Sequence, residues 1–248
     1  MDRPSRCAAE RHATRGRRSR RGGLTVAKRK IAKRTSGKRV TQGSLLTTNE
    51  RTAIKRIGEP IALLLGRIGF SPDGLTLVGF GIVLIATAQV ALGNWAIAAG
   101  ILIAGTLFDG LDGTLARATN RVTAFGAFFD SSLDRAAEAA IYAGIVYSAA
   151  VIGDIQIGTS AALALGIGSL VSYVRARGEG LGVSAHGGIA QRAERAVLLI
   201  LGLLAAGLSG ETSYLLYALF IIVALSVVTV LQRILFIRAA LATTGRRA

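Results

Sequence analysis

Cysteine is almost absent from this chain of 248 residues, in which Cys7 is the single one. A lone cysteine cannot form a disulfide within the chain, which fits a reducing compartment without requiring one. Histidine is nearly as scarce, because only His12 and His186 are present and neither has a partner at ligand spacing. We therefore assign neither histidine a role in metal binding.

Acidic residues are missing from a long N-terminal stretch, since none lies between Arg11 and Asn49, whereas about half of the 30 Lys and Arg precede Val40. Because this stretch also lacks a sustained apolar period, we predict a disordered cytoplasmic tail over residues 1–49. Its net positive charge would attach it to anionic lipid headgroups, at about 1 kcal/mol per basic residue near the surface. No apolar core follows, which argues against a secretory signal and leaves an organelle transit peptide open. Nucleic-acid binding by the tail is an alternative, but we expect no nucleic acid to be required.

Charged residues are also scarce overall, at 18%, whereas apolar residues make up 51% and the mean hydropathy is +0.50. These values are typical of a polytopic membrane protein. We predict an all-α integral membrane fold with six transmembrane helices in a catalytic domain over residues 72–240, followed by a cytoplasmic C-terminal tail over residues 241–248. The six apolar segments are Leu75–Leu92, Trp95–Leu115, Phe125–Ile152, Ile155–Val174, Ala196–Leu208 and Tyr214–Ile237.

The segment of residues 50–71 mixes apolar and charged side chains. This pattern predicts an amphipathic helix lying at the membrane interface, with a kink at Pro60.

Lysine and arginine are missing from three of the predicted turns, at Asn94, Asp154 and Gly210–Glu211. The opposite side carries the tail and the remaining arginines, so the positive-inside rule places that side in the cytoplasm. We therefore expect a multi-pass protein of the cell membrane with both termini cytoplasmic.

Carboxylates are concentrated in one otherwise apolar stretch at this cytoplasmic side. Asp109 and Asp112 are three residues apart and share a helix face, and Asp130 and Asp134, four apart, do the same on a second helix. Four bare carboxylates in an apolar setting would repel one another and lose hydration, and divalent cations remove both problems. We therefore predict a centre of two Mg²⁺ or Mn²⁺ ions held by these four residues, facing the cytoplasm.

The same stretch follows a longer pattern, Asp-x-x-Asp-Gly-x-x-Ala-Arg, eight residues, then Gly-x-x-x-Asp-x-x-x-Asp. It resembles the signature of the CDP-alcohol phosphotransferases (CDP-alcohol phosphatidyltransferases), all of whose fixed positions are met without a gap, and the resemblance covers about Gly69 to Arg238. It implies a homodimeric membrane enzyme that transfers a phosphate-linked group from a CDP-alcohol to an acceptor hydroxyl and releases CMP. It also implies that Asp134 is the general base that takes the proton of the acceptor hydroxyl.

The resemblance further implies a CDP-lipid site. Small residues at positions 113 and 116 would let a nucleotide approach the helix backbone, and Arg117 would pair with the donor pyrophosphate. The segment from Pro72 to Thr76 resembles a donor-contacting segment, although it also reads as a helix start. The CDP-lipid-binding residues are then Asp73, Gly74, Leu75, Thr76, Gly113, Ala116, Arg117, Thr123 and Gly126.

The acceptor site is implied by a closer likeness to the phosphatidylinositol-phosphate synthase branch, where basic residues hold the phosphate of inositol phosphate. The chain departs from that branch at Gln191, where Glu is usual, and at Ala193, where Pro is usual. Positive-inside anchoring is the alternative for any single arginine. Glu138 is expected to form an ion pair with Arg135. The acceptor-phosphate residues are Arg135, Ser172, Arg175, Arg177, Arg192 and Arg195.

We therefore predict transfer of a phosphatidyl or archaetidyl group from CDP-diacylglycerol or CDP-archaeol to inositol 1-phosphate or another phosphorylated polyol. Glycerol 3-phosphate is the alternative acceptor, which Arg135 disfavours because that branch of the family more often has Lys after the last Asp. A cation transporter is the alternative of another class. It is disfavoured because the acids cluster at one end of the spans instead of extending through the bilayer.

Overall fold

A computed structural model of the chain describes Pro60, Leu64 and residues 66–119, 121–185 and 187–245, without the side chains at positions 107, 109, 110, 112, 244 and 245. This part is helical and contains no strand. Its six long helices are α1 (Pro72–Ala91), α2 (Trp95–Ala118), α3 (Ala124–Ile152), α4 (Ile155–Gly180), α5 (Arg192–Ser209) and α6 (Ser213–Gly245).

Local sequence signals set the starts of these helices. The hydroxyl of Ser71 accepts a hydrogen bond from Gly74 N at 3.0 Å, with Pro72 in the first turn of α1, which confirms the helix-start interpretation of that segment. Thr123 caps α3 in the same way, accepting from Gly126 N at 2.9 Å. Thr123 thus fixes the start of the helix that carries Asp130 and Asp134.

The helices form a closed ring of contacts, in the order α1, α2, α5, α6, α4, α3 and back to α1. Small residues allow the close approaches, as expected for membrane helices. A Cβ at Gly207 of α5, for example, would overlap the backbone nitrogen of Ala96 on α2. The buried core combines alanines with larger side chains such as Tyr142 and Ile157.

Four of the helices, namely α1, α3, α4 and α6, are long and apolar enough to cross a membrane. The remaining two of the six predicted spans fall short. The apolar part of α2, Trp95–Thr106, covers only about 18 Å at 1.5 Å per residue, because the acidic stretch follows. The helix α5 carries Arg192, Glu194 and Arg195 within its 18 residues.

Several predicted segments lie wholly or largely outside the described residues. The basic tail of residues 1–49 is among them, and so is most of the amphipathic segment 50–71, in which Pro60 is described but its neighbours on both sides are not, so the expected kink stays a prediction. At the other end, α6 continues to Gly245 and so extends into the segment predicted as a C-terminal tail.

Candidate active site

A cavity of about 360 Å³ lies between α1, α2, α3 and α5. Its walls are mainly apolar, with Phe80, Leu102 and Leu199 among them. Polar side chains from all four helices also line it. They are Thr76 of α1, Thr106 of α2, Asp134, Glu138 and Tyr142 of α3, and Arg192 and Arg195 of α5. The cavity is therefore amphipathic, as a site for a lipid with a charged headgroup needs to be.

Asp134 and Arg192 meet in this cavity. The Nη1 atom of Arg192 donates to Oδ1 of Asp134 at 2.8 Å, and both side chains are partly exposed. Arg192 is the first residue of α5, so the start of that helix brings a guanidinium to the last Asp of the signature. The structure thus brings the predicted base together with one predicted acceptor residue.

Arg195 lies deeper and is committed to protein partners. Its Nε and Nη2 atoms donate to Oε1 of Glu138 at 3.1 and 2.7 Å, and its Nη1 atom donates to the carbonyl oxygen of Ala190 at 3.1 Å. Only 2% of Arg195 is exposed. The expected pairing of Glu138 with Arg135 is wrong, because Arg135 donates to the carbonyl oxygen of Ser131 on its own helix.

The predicted metal ligands are only half described. Asp130 and Asp134 lie one turn apart on α3 and are partly buried. The backbone places Asp109 and Asp112 on α2, but their side chains are not described, and the described side chains contain no group of three potential metal ligands. The carboxylates of α3 are hard oxygen donors, and Asp134 already attracts a cation in Arg192, so the described half of the donor set fits a divalent metal.

The starts of α1 and α3 lie side by side. This brings together three of the residues that are predicted to bind the CDP-lipid. A Cβ at Gly126 would lie 3.3 Å from Oδ1 of Asp73 and 3.0 Å from Oγ1 of Thr123. Thr76, one turn further along α1, lines the cavity. Leu75 does not fit the prediction, because its side chain is 1% exposed and packs in a small cluster with Leu115.

On α2, Gly113 and Arg117 lie close together, and both are predicted to bind the CDP-lipid. The guanidinium of Arg117 folds back along its helix, where Nη2 donates to Oγ1 of Thr114 at 3.3 Å. A Cβ at Gly113 would lie 3.3 Å from Nη1 of Arg117. Ala116 is half-buried and Arg117 is exposed, so the arginine is accessible to an anion.

The predicted convergence of five arginines is found only in part, because Arg192 and Arg195 line the cavity whereas the other three do not. Arg175 pairs with Glu179 one turn along α4, with Nε 2.9 Å from Oε1. Arg177 is exposed, and Ser172 is half-buried.

Arg233 is a functional candidate that the sequence analysis did not single out. It lies in the apolar helix α6, is 4% exposed, and donates from Nε to Gly187 O at 2.9 Å and from Nη1 to Val171 O at 2.7 Å. One turn earlier, Oγ1 of Thr229 accepts from Ala190 N at 2.9 Å. An arginine inside an apolar span was the available signal, because such residues are rare in membranes without a role.

Comparisons with known proteins agree with this arrangement. The sequence model of the CDP-alcohol phosphatidyltransferase family matches residues 70–244. The archaetidylinositol phosphate synthase of Methanothermobacter thermautotrophicus is 38% identical over 187 residues, or 75% of this chain and 91% of that protein. The phosphatidylinositol phosphate synthase of Mycobacteroides abscessus is 33% identical over 190 residues, or 76% of this chain and 86% of the other.

A solved structure has the same fold. The Mycobacterium tuberculosis phosphatidylinositol phosphate synthase with CDP-DAG bound superposes with a TM-score of 0.70 at 28% identity, over 73% of this chain and 94% of that one. The same enzyme in complex with manganese and citrate gives a TM-score of 0.69 at 27% identity, over 73% and 88%. The family match, the relatives and the fold together establish that this chain is a membrane enzyme of the CDP-alcohol phosphatidyltransferase family.

Proposed function

We propose that the chain transfers the phosphatidyl or archaetidyl group of a CDP-lipid to inositol 1-phosphate and releases CMP. The observation that carries this proposal is the contact between Asp134 and Arg192 in the amphipathic cavity. The two relatives reported above support the acceptor, because one is named archaetidylinositol phosphate synthase and the other phosphatidylinositol phosphate synthase, and these names differ only in the lipid group. CDP-diacylglycerol and CDP-archaeol are therefore both proposed donors.

Asp134 acts as the general base and Arg192 binds the acceptor phosphate. The acceptor hydroxyl oxygen forms a bond to the phosphorus next to the lipid, the bond from that phosphorus to the bridging oxygen of CMP breaks, and the hydroxyl proton passes to Asp134. Because Arg192 lies 2.8 Å from Asp134, a phosphate held by that guanidinium would place the rest of a small polyol beside the base. A charge-assisted bond of this kind contributes about 1.5–3 kcal/mol.

The donor lies along the other side of the site. The adjoining starts of α1 and α3, with Asp73, Thr123 and Gly126, offer a place for the cytidine nucleotide. Arg117 is exposed in the last turn of α2 and binds the pyrophosphate. The apolar walls of the cavity take the start of the lipid chains.

Two Mg²⁺ or Mn²⁺ ions are held by Asp109, Asp112, Asp130 and Asp134. The manganese complex of the Mycobacterium tuberculosis relative supports the use of a divalent ion. When bound, the metal neutralises the pyrophosphate and polarises the phosphorus under attack. The residues of α3 contribute by presenting two carboxylates one helical turn apart.

The ring of six helices supports the following membrane arrangement. All six helices cross the bilayer, with α2 and α5 reaching the cytoplasmic side through their charged ends, and the amphipathic segment 50–71 lies at the interface ahead of them. The turns at Gly93–Asn94, Gly153–Asp154 and Gly210–Thr212 carry no Lys or Arg, which supports a cytoplasmic site and cytoplasmic termini. We expect a homodimer, with the basic tail held to anionic lipid.

The experiment is release of CMP from CDP-diacylglycerol or CDP-archaeol by the purified protein in detergent with divalent metal. Inositol 1-phosphate, free inositol and glycerol 3-phosphate are compared at equal concentration. We expect release with inositol 1-phosphate alone. If free inositol reacts as well, the phosphate site is wrong. If only glycerol 3-phosphate reacts, the phosphate site stands and the acceptor is wrong.

A further inference from the structure

We propose that Glu138 is a positioning residue for the transfer reaction. Through its ion pair with Arg195, it fixes the first turn of α5 so that Arg192 stands opposite Asp134. The inference rests on the proposed function, because it takes Arg192 to be the group that binds the acceptor phosphate.

Two ion pairs in register join α3 to α5. On α3, Asp134 and Glu138 are four residues apart, and on α5, Arg192 and Arg195 are three apart, so each pair of side chains shares a helix face. Arg192 meets Asp134 at 2.8 Å and Arg195 meets Glu138 at 2.7 Å. The two helices are not neighbours in the ring, and the cavity lies between them. These ion pairs therefore connect two elements that helix packing does not hold together.

The inner pair, Arg195 with Glu138, is more buried than the outer pair, Arg192 with Asp134. Arg195 is 2% exposed and directs two nitrogens to one oxygen of Glu138, whereas Arg192 and Asp134 are both partly exposed. A buried charge without its partner is strongly unfavourable, so the inner pair has little freedom to separate. The outer pair is partly exposed, so an entering phosphate can reach its guanidinium.

Arg195 also holds the backbone at Ala190, two residues before α5 begins. The carbonyl oxygen of Ala190 accepts from Nη1 of Arg195 at 3.1 Å, and the nitrogen of Ala190 donates to Oγ1 of Thr229 on α6 at 2.9 Å. Thr229 and Ala190 are fully buried. The backbone that leads into Arg192 is thus fixed from two sides, and Glu138 orients the arginine that provides one of them.

A glycine on α4 provides the space for the inner pair. A Cβ at Gly168 would lie 3.3 Å from Nε of Arg195 and 3.3 Å from Oε1 of Glu138, which is closer than ordinary contacts. An alanine at position 168 would therefore require the two side chains of the pair to shift by a few tenths of an ångström. Gly166, on the same helix, has open space at the corresponding place and is a matched control.

The kinetic test uses Glu138→Gln and Gly168→Ala in the full chain, with Gly166→Ala as the control. We expect both test variants to raise the KM for inositol 1-phosphate about five-fold or more, with the KM for the CDP-lipid unchanged within about two-fold. The control should leave both values unchanged. If the acceptor KM stays within two-fold in folded test variants, or if both KM values rise together with a lower Tm, the positioning role is wrong.

A second measurement does not depend on activity. Spin labels at Tyr147 of α3 and Val197 of α5, both exposed, report the distance between the helices after Cys7 is replaced by Ser. We expect a narrow distance distribution that broadens in Glu138→Gln and not in Gly166→Ala. An unchanged distribution would overturn the inference even if the acceptor proves to be another compound. Failure of the unsubstituted protein to use inositol 1-phosphate, with broadening as expected, would count against the proposed acceptor alone.

Discussion

Asp134 on α3 and Arg192 on α5 form an ion pair of 2.8 Å in the cavity. The pair joins the residue proposed as the base to the residue proposed for the acceptor phosphate. An entering phosphate must compete with Asp134 for the guanidinium of Arg192. Once the phosphate is bound there, the Asp134 carboxylate lies next to the acceptor. The same contact therefore explains how a small polyol phosphate would be aligned for attack.

Replacing Arg192 by Gln should raise the apparent KM for the acceptor about ten-fold or more, equivalent to ~1.4 kcal/mol, because a charge-assisted bond is lost. The KM for the CDP-lipid should change little. Steady-state kinetics with each substrate varied in turn measure both. Arg238→Gln is the matched control, since Arg238 is an exposed arginine of α6 outside the cavity lining. Equal effects of the two substitutions would show that Arg192 is a membrane anchor.

Replacing any one of Asp109, Asp112, Asp130 and Asp134 by Asn should lower turnover by at least ~100-fold, or ~2.7 kcal/mol of barrier, because each is a proposed metal ligand. Chelator should abolish activity, and added Mg²⁺ or Mn²⁺ should restore it. Asp154→Asn is the control, because Asp154 caps α4 in a turn on the opposite side and accepts from Ile157 N at 3.0 Å. Full activity in chelator would contradict the metal centre.

A shortened chain beginning at Glu50 should keep its specific activity in detergent. The basic tail has no apolar period with which to pack, and the family match begins only at residue 70. Activity is measured by CMP release and folding by size-exclusion chromatography. A folded but inactive shortened chain would show that the tail contributes to the site.

Gly207→Ala should lower the stability of the protein in detergent by about 1–3 kcal/mol, because the added methyl group would overlap the backbone nitrogen of Ala96 where α5 packs on α2. The measurement is thermal unfolding. Gly100→Ala on α2, with nothing within 4 Å of its Cβ position, is the control and should not be destabilising. Equal Tm values for the two variants would contradict the close packing of α2 and α5.

The helices and the family were predictable because they depend on local patterns. The segments predicted for α2 and α3 begin within one residue of the observed helices, and Ser71 and Thr123 act as caps. The hydropathy pattern indicates which segments form helices, and capping depends on side chains within one turn of the helix end. The spacing of the four Asp residues likewise needed only the linear sequence.

The partners of the charged side chains were decided by the tertiary structure alone. The sequence places Arg135 within one turn of Glu138, but the ring of helices brings Arg195 of α5 to that carboxylate and buries the pair against Gly168. Leu75 likewise lies in the segment that resembles a CDP-lipid-contacting one, yet its side chain packs against Leu115 in the interior. Periodicity shows which residues share a face of one helix, whereas the contact between faces depends on how all six helices pack. That packing is a property of the whole chain, and no local stretch of sequence specifies it.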